Sequence, residues 1–279
     1  MGVRVVTDSA CDLPDDLIER LGIEVVPLTI RFGDEELIDR KELTTGEFWR
    51  RLESSPELPE TAAPSPGAFE QTFRRIAGDG ATGIVCINLS SKLSGTMQSA
   101  EVAAKALEGT CPVTVVDSLQ VSMGLGNLVL TAARLAADGG GLDSVVADVL
   151  ERRSRTKLFG TLDTLEYLKK GGRVGNARAL LGSMLAIKPV VEVKDGSVEE
   201  SGKVRTRSKA LKLLADRVRE HQPIENLAVL DGAAPDLDQL LELLAPLYPP
   251  DEIVTGQIGP VIGTHAGPRV IGVTFQTRS

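Results

Sequence analysis

The chain has 279 residues, 42% of them hydrophobic and 25% charged, with a formal net charge of −8. This is the balance of a soluble globular protein with core enough for one large or two ordinary domains, and its acidity argues against a general nucleic-acid binder. Aromatic residues make up only 3%, so any buried pocket has to be walled mostly by aliphatic side chains.

No run of 18 apolar residues occurs, and Met1–Thr7 leads into a strand-like segment, not a signal peptide. We therefore expect a cytoplasmic location and no stable membrane insertion. Cys11, Cys86 and Cys111 are scattered and odd in number, without CxxC spacing; they read as reduced, packed thiols, not a disulfide framework or zinc site.

In chain order, Val3–Thr7 reads as a buried strand, and Asp12 as the N-cap of a helix that ends at Gly22. Ile23–Phe32 is strand-like with an edge or bend at Pro27. Thr44 and Glu47 have capping-box spacing before another helix, and 54–66 is a Pro-rich loop. A helix over 67–76 precedes Gly83–Ile87, a buried parallel strand, then a hydroxyl-rich loop and a helix over Ser99–Leu107. Five hydroxyls (Ser90, Ser91, Ser94, Thr96, Ser99) and Gly95 surround that helix start. One would suffice as a cap; the surplus points to an oxygen-rich ligand head group near free N–H donors. A strand at Val113–Val116 and helices over 124–137 and 142–153 follow.

These strand-to-helix units imply a parallel sheet with helical cover, whose ligands bind beyond the strands' carboxyl ends. Asp8, Ser9, Asp117, Ser118 and the 88–99 loop all fall there. Beyond 155 the pattern changes to α+β. It comprises a helix over 164–170, the turn GGRVG, a helix over 177–186, and a hairpin turning at Asp195-Gly196. Further helices and strands then surround a Gly-rich GPVIGTHAGP turn that presents His265. Charge is uneven too: residues 151–219 carry 17 Lys+Arg against 8 Asp+Glu, the remainder 14 against 31. A solvated basic face accounts for this, as does docking of an acidic partner or a phosphate.

Catalytic signatures are sparse. There is no GxSxG elbow, and His and Cys show no metal spacing. GSVEESGKV at 196–204 has five residues between the glycines where a phosphate loop has four, and Val204 where Ser or Thr belongs. It reads as a hairpin. Arg173 in GGRVG reads as a solvated arginine after a helix stop.

Four motifs in order, TDSACDLP (7–14), SSKLSGTMQSA (90–100), LEYLKKGGRVG (165–175) and IGPVIGTHAGP (258–268), resemble the DegV family over essentially the whole chain. That family is known as fatty-acid-binding subunits of bacterial fatty acid kinase. The resemblance implies an α/β protein of two domains, 1–156 with a parallel sheet and head-group loops, and 157–279 of α+β type, with the lipid site between them. It implies a bound long-chain fatty acid, no other cofactor, no catalytic or metal residue, and a separate ATP-binding kinase subunit that makes the acyl phosphate. Thr61, Ser94 and His265 match residues that contact the carboxylate; Ser91, Gly95 and Thr96 belong to the same loop. Arg173 and Arg205 match basic residues near the head group or the kinase-docking face, with Arg207 a possible substitute for Arg205. Ala62-Ala63 stands where the family usually has Ser-Gln. The apolar segments 123–135 and 179–187, with Met184, are candidates for lining the tail, though core packing explains them equally. The rival readings are a hydrolase or transferase using Asp8, Ser94 and His265, and a lipid-sensing regulator.

Overall fold

The computed structural model describes residues 2–55, 57–182 and 187–278. Its first part contains β1 (Val3–Asp8), α1 (Asp15–Leu21), β2 (Glu24–Val26), β3 (Thr29–Phe32), β4 (Glu35–Ile38) and α2 (Thr45–Ser54). These lead to β5 (Glu60–Ala62), α3 (Pro66–Gly78), β6 (Gly83–Asn88), α4 (Thr96–Lys105) and β7 (Val113–Asp117). Parallel pairing in the order β2-β1-β6-β7 makes a four-stranded sheet. β6 is buried on both faces, which is why its sequence runs apolar without alternation. Phe69, Phe73 and Ile76 of α3 and Ala100 and Ala103 of α4 cover one face.

The Ile23–Phe32 stretch is not one bent strand. It divides at Pro27-Leu28 between two sheets: β2 joins the parallel one, and β3 joins a small antiparallel sheet in the order β4-β3-β5. The expected loop over 54–66 therefore contains a strand, β5, and Thr61 sits on it opposite Ile30. Asp12 also departs from expectation. It adopts a left-handed conformation, φ 50°, after a short 3-10 turn, and Pro14 occupies the N-cap of α1.

The chain continues with α5 (Ser122–Ala137), α6 (Leu142–Arg155), β8 (Thr156–Thr161), α7 (Glu166–Lys170), β9 (Lys188–Lys194) and β10 (Ser197–Val204). After these come α8 (Arg207–Glu220), β11 (Ile224–Asp231), α9 (Leu237–Leu244), β12 (Val254–Gln257), α10 (Pro260–Ala266) and β13 (Ile271–Thr277). Six strands form a mixed sheet in the order β10-β9-β8-β13-β11-β12. The β9–β10 hairpin turns at Asp195 and Gly196, both at positive φ, as the Asp-Gly pair requires.

One face of this sheet buries Phe159, Ile271, Val273 and Phe275 under α8 and α9. The opposite face looks back toward the parallel-sheet region. Between the two sheets lies α5, which packs on β1 and β6 and also on β8, β11 and β13. A helix enclosed on all sides has to be apolar all round, and every residue from Ser122 to Ala133 is buried.

Candidate functional site

A cavity of about 210 Å³ lies between the two sheets, with walls from both halves of the chain. Leu28, Leu89 and Met123 come from the first half; Leu158, Val191 and Leu230 come from the second. Thr61, Ser94, Gly95, Arg173 and His265 also line it.

His265 sits in the last turn of α10, a helix where the sequence suggested only a glycine-flanked turn. The glycines instead admit neighbours. A Cβ at Gly263 would lie 2.5 Å from Phe48 Cε1 and 2.8 Å from Trp49 Cη2, so α2 packs directly on the α10 backbone. Trp49 Nε1 donates to Ile258 O at 3.0 Å, and Gly259 N donates to Asp12 Oδ1 at 3.0 Å. The Asp12 carboxylate also accepts from Ser122 Oγ at 2.6 Å. Its role is thus to tie the starts of α5 and α10 together, not to cap α1.

The polar groups are joined by a continuous set of contacts. Thr61 Oγ1 and His265 Nε2 are 3.0 Å apart. Gly171 lies against the imidazole so closely that a Cβ there would overlap Nδ1. Arg173 donates from Nη1 to Gly171 O at 2.6 Å and from Nε to Leu93 O at 3.0 Å. Next along the chain, Ser94 Oγ is 2.9 Å from Thr96 Oγ1 and accepts from Thr96 N at 3.3 Å.

Burial, and secondarily the nearby Arg173 guanidinium, lowers the His265 pKa to about 4, so the imidazole is neutral at neutral pH. Nδ1 is buried with no partner among the described residues. An orphaned N–H costs more than an orphaned lone pair. That favours the tautomer in which Nε2–H donates to Thr61 Oγ1. The threonine hydroxyl hydrogen is then available to an anion in the cavity.

The remaining sequence candidates are placed differently. Ser91 donates to Asp117 from both its amide, at 3.2 Å, and its hydroxyl, at 2.5 Å; it braces the loop. Thr96 is fully buried behind Ser94. Arg205 is exposed in the turn between β10 and α8. Arg207 is not interchangeable with it, because it makes a two-pronged pair with Asp236 at 2.8 and 3.0 Å. Of the apolar segment 123–135, Met123 alone lines the cavity; the others serve the core, α5 being enclosed by two sheets. In the 179–187 segment, residues 183–186, Met184 among them, lie outside the described residues. The roles of Gly171 and Trp49 were not legible in the sequence, since nothing local marks a residue whose role is to abut a side chain distant in sequence.

Residues 196–204, the stretch nearest to a phosphate loop, form the β9–β10 hairpin, which Ser90 Oγ holds through Gly196 O at 2.7 Å. Among the described residues no group of His, Cys, Asp and Glu is arranged to hold a metal ion, and no helix is long and apolar enough to cross a membrane.

A model described as "Uncharacterised protein, DegV family" matches residues 2–278. The chain belongs to the DegV family. It is 39% identical to a DegV domain-containing protein of Streptomyces coelicolor over 283 residues, covering 99% of each chain. Among solved structures, it is similar to a fatty-acid-binding DegV family protein of Thermus thermophilus, with TM-score 0.92, 36% identity and 100% of each chain covered. It also resembles a stearic-acid-binding protein of Eubacterium ventriosum, with TM-score 0.87, 26% identity, and 99% and 98% covered.

Proposed function

We propose that the protein binds a long-chain fatty acid in the cavity between its sheets and presents the carboxylate to a separate ATP-dependent kinase subunit, which forms the acyl phosphate. The observation that carries this reading is the aliphatic cavity joined to the Thr61–His265–Gly171–Arg173–Leu93 contact series. A carboxylate leaving water needs several donors. Here the Thr61 and Ser94 hydroxyls and the Arg173 guanidinium are the candidates, and the neutral imidazole orients the first. The aliphatic walls supply the affinity: at about 0.8 kcal/mol per buried CH₂, roughly fourteen methylenes contribute about 11 kcal/mol before ordering costs. The fatty-acid-binding relatives in Thermus and Eubacterium support the same ligand class.

In this reading 1–156 and 157–279 act as two lobes closing on the tail, and Arg173 and Arg205 face the kinase. The protein positions a substrate and performs no chemistry alone. A hydrolase built on Asp8, Ser94 and His265 draws no support from the geometry. The carboxylate of Asp8 is committed to Ala10 N, Asn88 Nδ2 and Leu89 N, Ser94 pairs with Thr96, and His265 with Thr61.

The deciding experiment is denaturation of the purified protein, solvent extraction and mass spectrometry. A near-stoichiometric fatty acid supports the carrier reading. A protein that emerges empty and takes up no added fatty acid refutes it.

A further inference from the structure

Two glycines on the cavity face have no explanation among the described residues. Gly160 of β8 and Gly272 of β13 stand directly opposite each other in the antiparallel ladder, and both line the cavity. Glycine inside a strand weakens it, and its usual justification is a close neighbour. Gly124 and Gly126 of α5 show what that looks like: a Cβ would lie 2.7 Å from Gln120 Oε1 at the first and 2.7 Å from Cys11 O at the second. At Gly160 and Gly272 the nearest atom to a Cβ is a neighbouring-strand carbonyl oxygen at 3.5 Å, an ordinary contact. Neither glycine has a positive φ. Among the described residues, packing and backbone conformation would both accept a β-carbon.

The flanking positions on the same face are filled. Leu158 stands opposite Thr274 on one side, Leu162 and Val270 lie on the other, and all four line the cavity. With about 3.3 Å of rise per residue and alternate side chains on one face, the two walls stand roughly 13 Å apart from Cα to Cα. Between those side chains the two glycines leave a notch floored by backbone alone.

We infer that the Gly160–Gly272 pair is the seat of the acyl tail, where a methylene segment crosses β8 and β13 against bare backbone, and that it determines which tails fit. This rests on the fatty-acid reading above and adds a specificity determinant to it.

The test uses the delipidated full chain and the Gly160→Ala, Gly272→Ala and double variants. Each is titrated with saturated acids from octanoic to octadecanoic, and its Tm is measured without ligand. We expect the double variant to lose about tenfold in affinity for octadecanoic acid, the factor equivalent to displacing roughly two methylenes. Acids too short to reach the notch keep wild-type affinity, and the ligand-free Tm stays level or rises. The single variants show the same pattern at smaller amplitude. Octadecanoic affinity within twofold of wild type in the double variant overturns the seat while leaving the carrier function standing. A loss equal at every chain length, with a lower Tm, overturns it as well, because the glycines are then serving the fold. A wild-type chain that binds no fatty acid overturns the seat and the carrier function together.

Discussion

Gly171→Ala is the sharpest available probe of the proposed head-group cluster. Gly171 has φ −72° and ψ −7°, a conformation alanine adopts freely, so the added methyl is opposed only by what it touches. It overlaps His265 Nδ1 and comes within 3.0 Å of Cε1. The imidazole must retreat, and the 3.0 Å Thr61–His265 bond breaks. The lost hydrogen bond costs about 1 kcal/mol and the overpacking about 1–3 kcal/mol, while the stiffer unfolded chain returns about 0.4–1 kcal/mol. The net destabilisation is about 1–3.5 kcal/mol, at roughly 2–4 °C of Tm per kcal/mol. Fatty-acid affinity falls further, because a mispositioned contact to a charged group costs about 1.5–3 kcal/mol, or about 10- to 150-fold. The control is Gly172→Ala. Gly172 has φ +72° with nothing among the described residues within 4 Å of a Cβ, so alanine there strains the backbone by about 1–2 kcal/mol without touching the imidazole. Thermal melting of ligand-free protein and titration with a fatty acid separate the two. If both variants lose affinity equally, or Gly171→Ala retains it within twofold, the assigned role of His265 is wrong.

Other outcomes are expected from the same geometry. Ser94→Ala should weaken fatty-acid binding by about 1 kcal/mol, or roughly fivefold, with the fold intact and Tm lowered by only a few degrees through the lost contacts to Thr96; unaltered binding and phosphorylation would remove Ser94 from the site. Burial raises the pKa values of Asp8 and Asp39 to about 6 and that of Asp12 to about 7. Folded values above the unfolded 3.8 mean the folded state binds more protons between about pH 4 and 7, so stability falls as pH rises through that window. His265, lowered to about 4, acts in the opposite sense between about pH 4 and 6.5, one group against three. Ligand-free Tm should therefore be higher near pH 5 than near pH 7.5, and Asp12→Asn should flatten the slope; a rising profile contradicts this. Arg207→Ala should lower Tm by several degrees, because it leaves Asp236 without its half-buried partner. Under the proposed kinase partnership, Arg205→Ala should leave Tm and lipid binding intact and slow only phosphorylation by that subunit. Undiminished phosphorylation would remove Arg205 from the docking face.

Local physics carried much of the fold into the sequence. The unbroken apolar run of β6, the Thr44 cap that accepts from Glu47 N, the Gly22 stop at φ 59° and the Asp195-Gly196 hairpin are each decided within a few residues. So is the hydroxyl surplus at the start of α4. Long-range contacts decided the rest. β8 was not predicted as a strand, although it lies in the middle of the six-stranded sheet; its TKLFGT sequence contains the very glycine that the cavity leaves bare. β5 became a strand because β3 offered it an edge, which no propensity in a Pro-rich segment announces. Asp12 had the position and chemistry of an N-cap, yet its carboxylate was claimed by Ser122 and Gly259, 110 and 247 residues away. The sequence by itself determined most of the helices, though not α10 and not the 3-10 turn over Gly175–Gly182 where an α-helix was expected; it also determined which loop is rich in donors and that a pocket has to be aliphatic, because those follow from composition and spacing. Only the tertiary structure decided that Thr61, from a small outlying sheet, meets His265, from the penultimate element of the chain. That pairing depends on how α2, α7 and α10 pack, and packing is a property of surfaces that the chain assembles only when it folds.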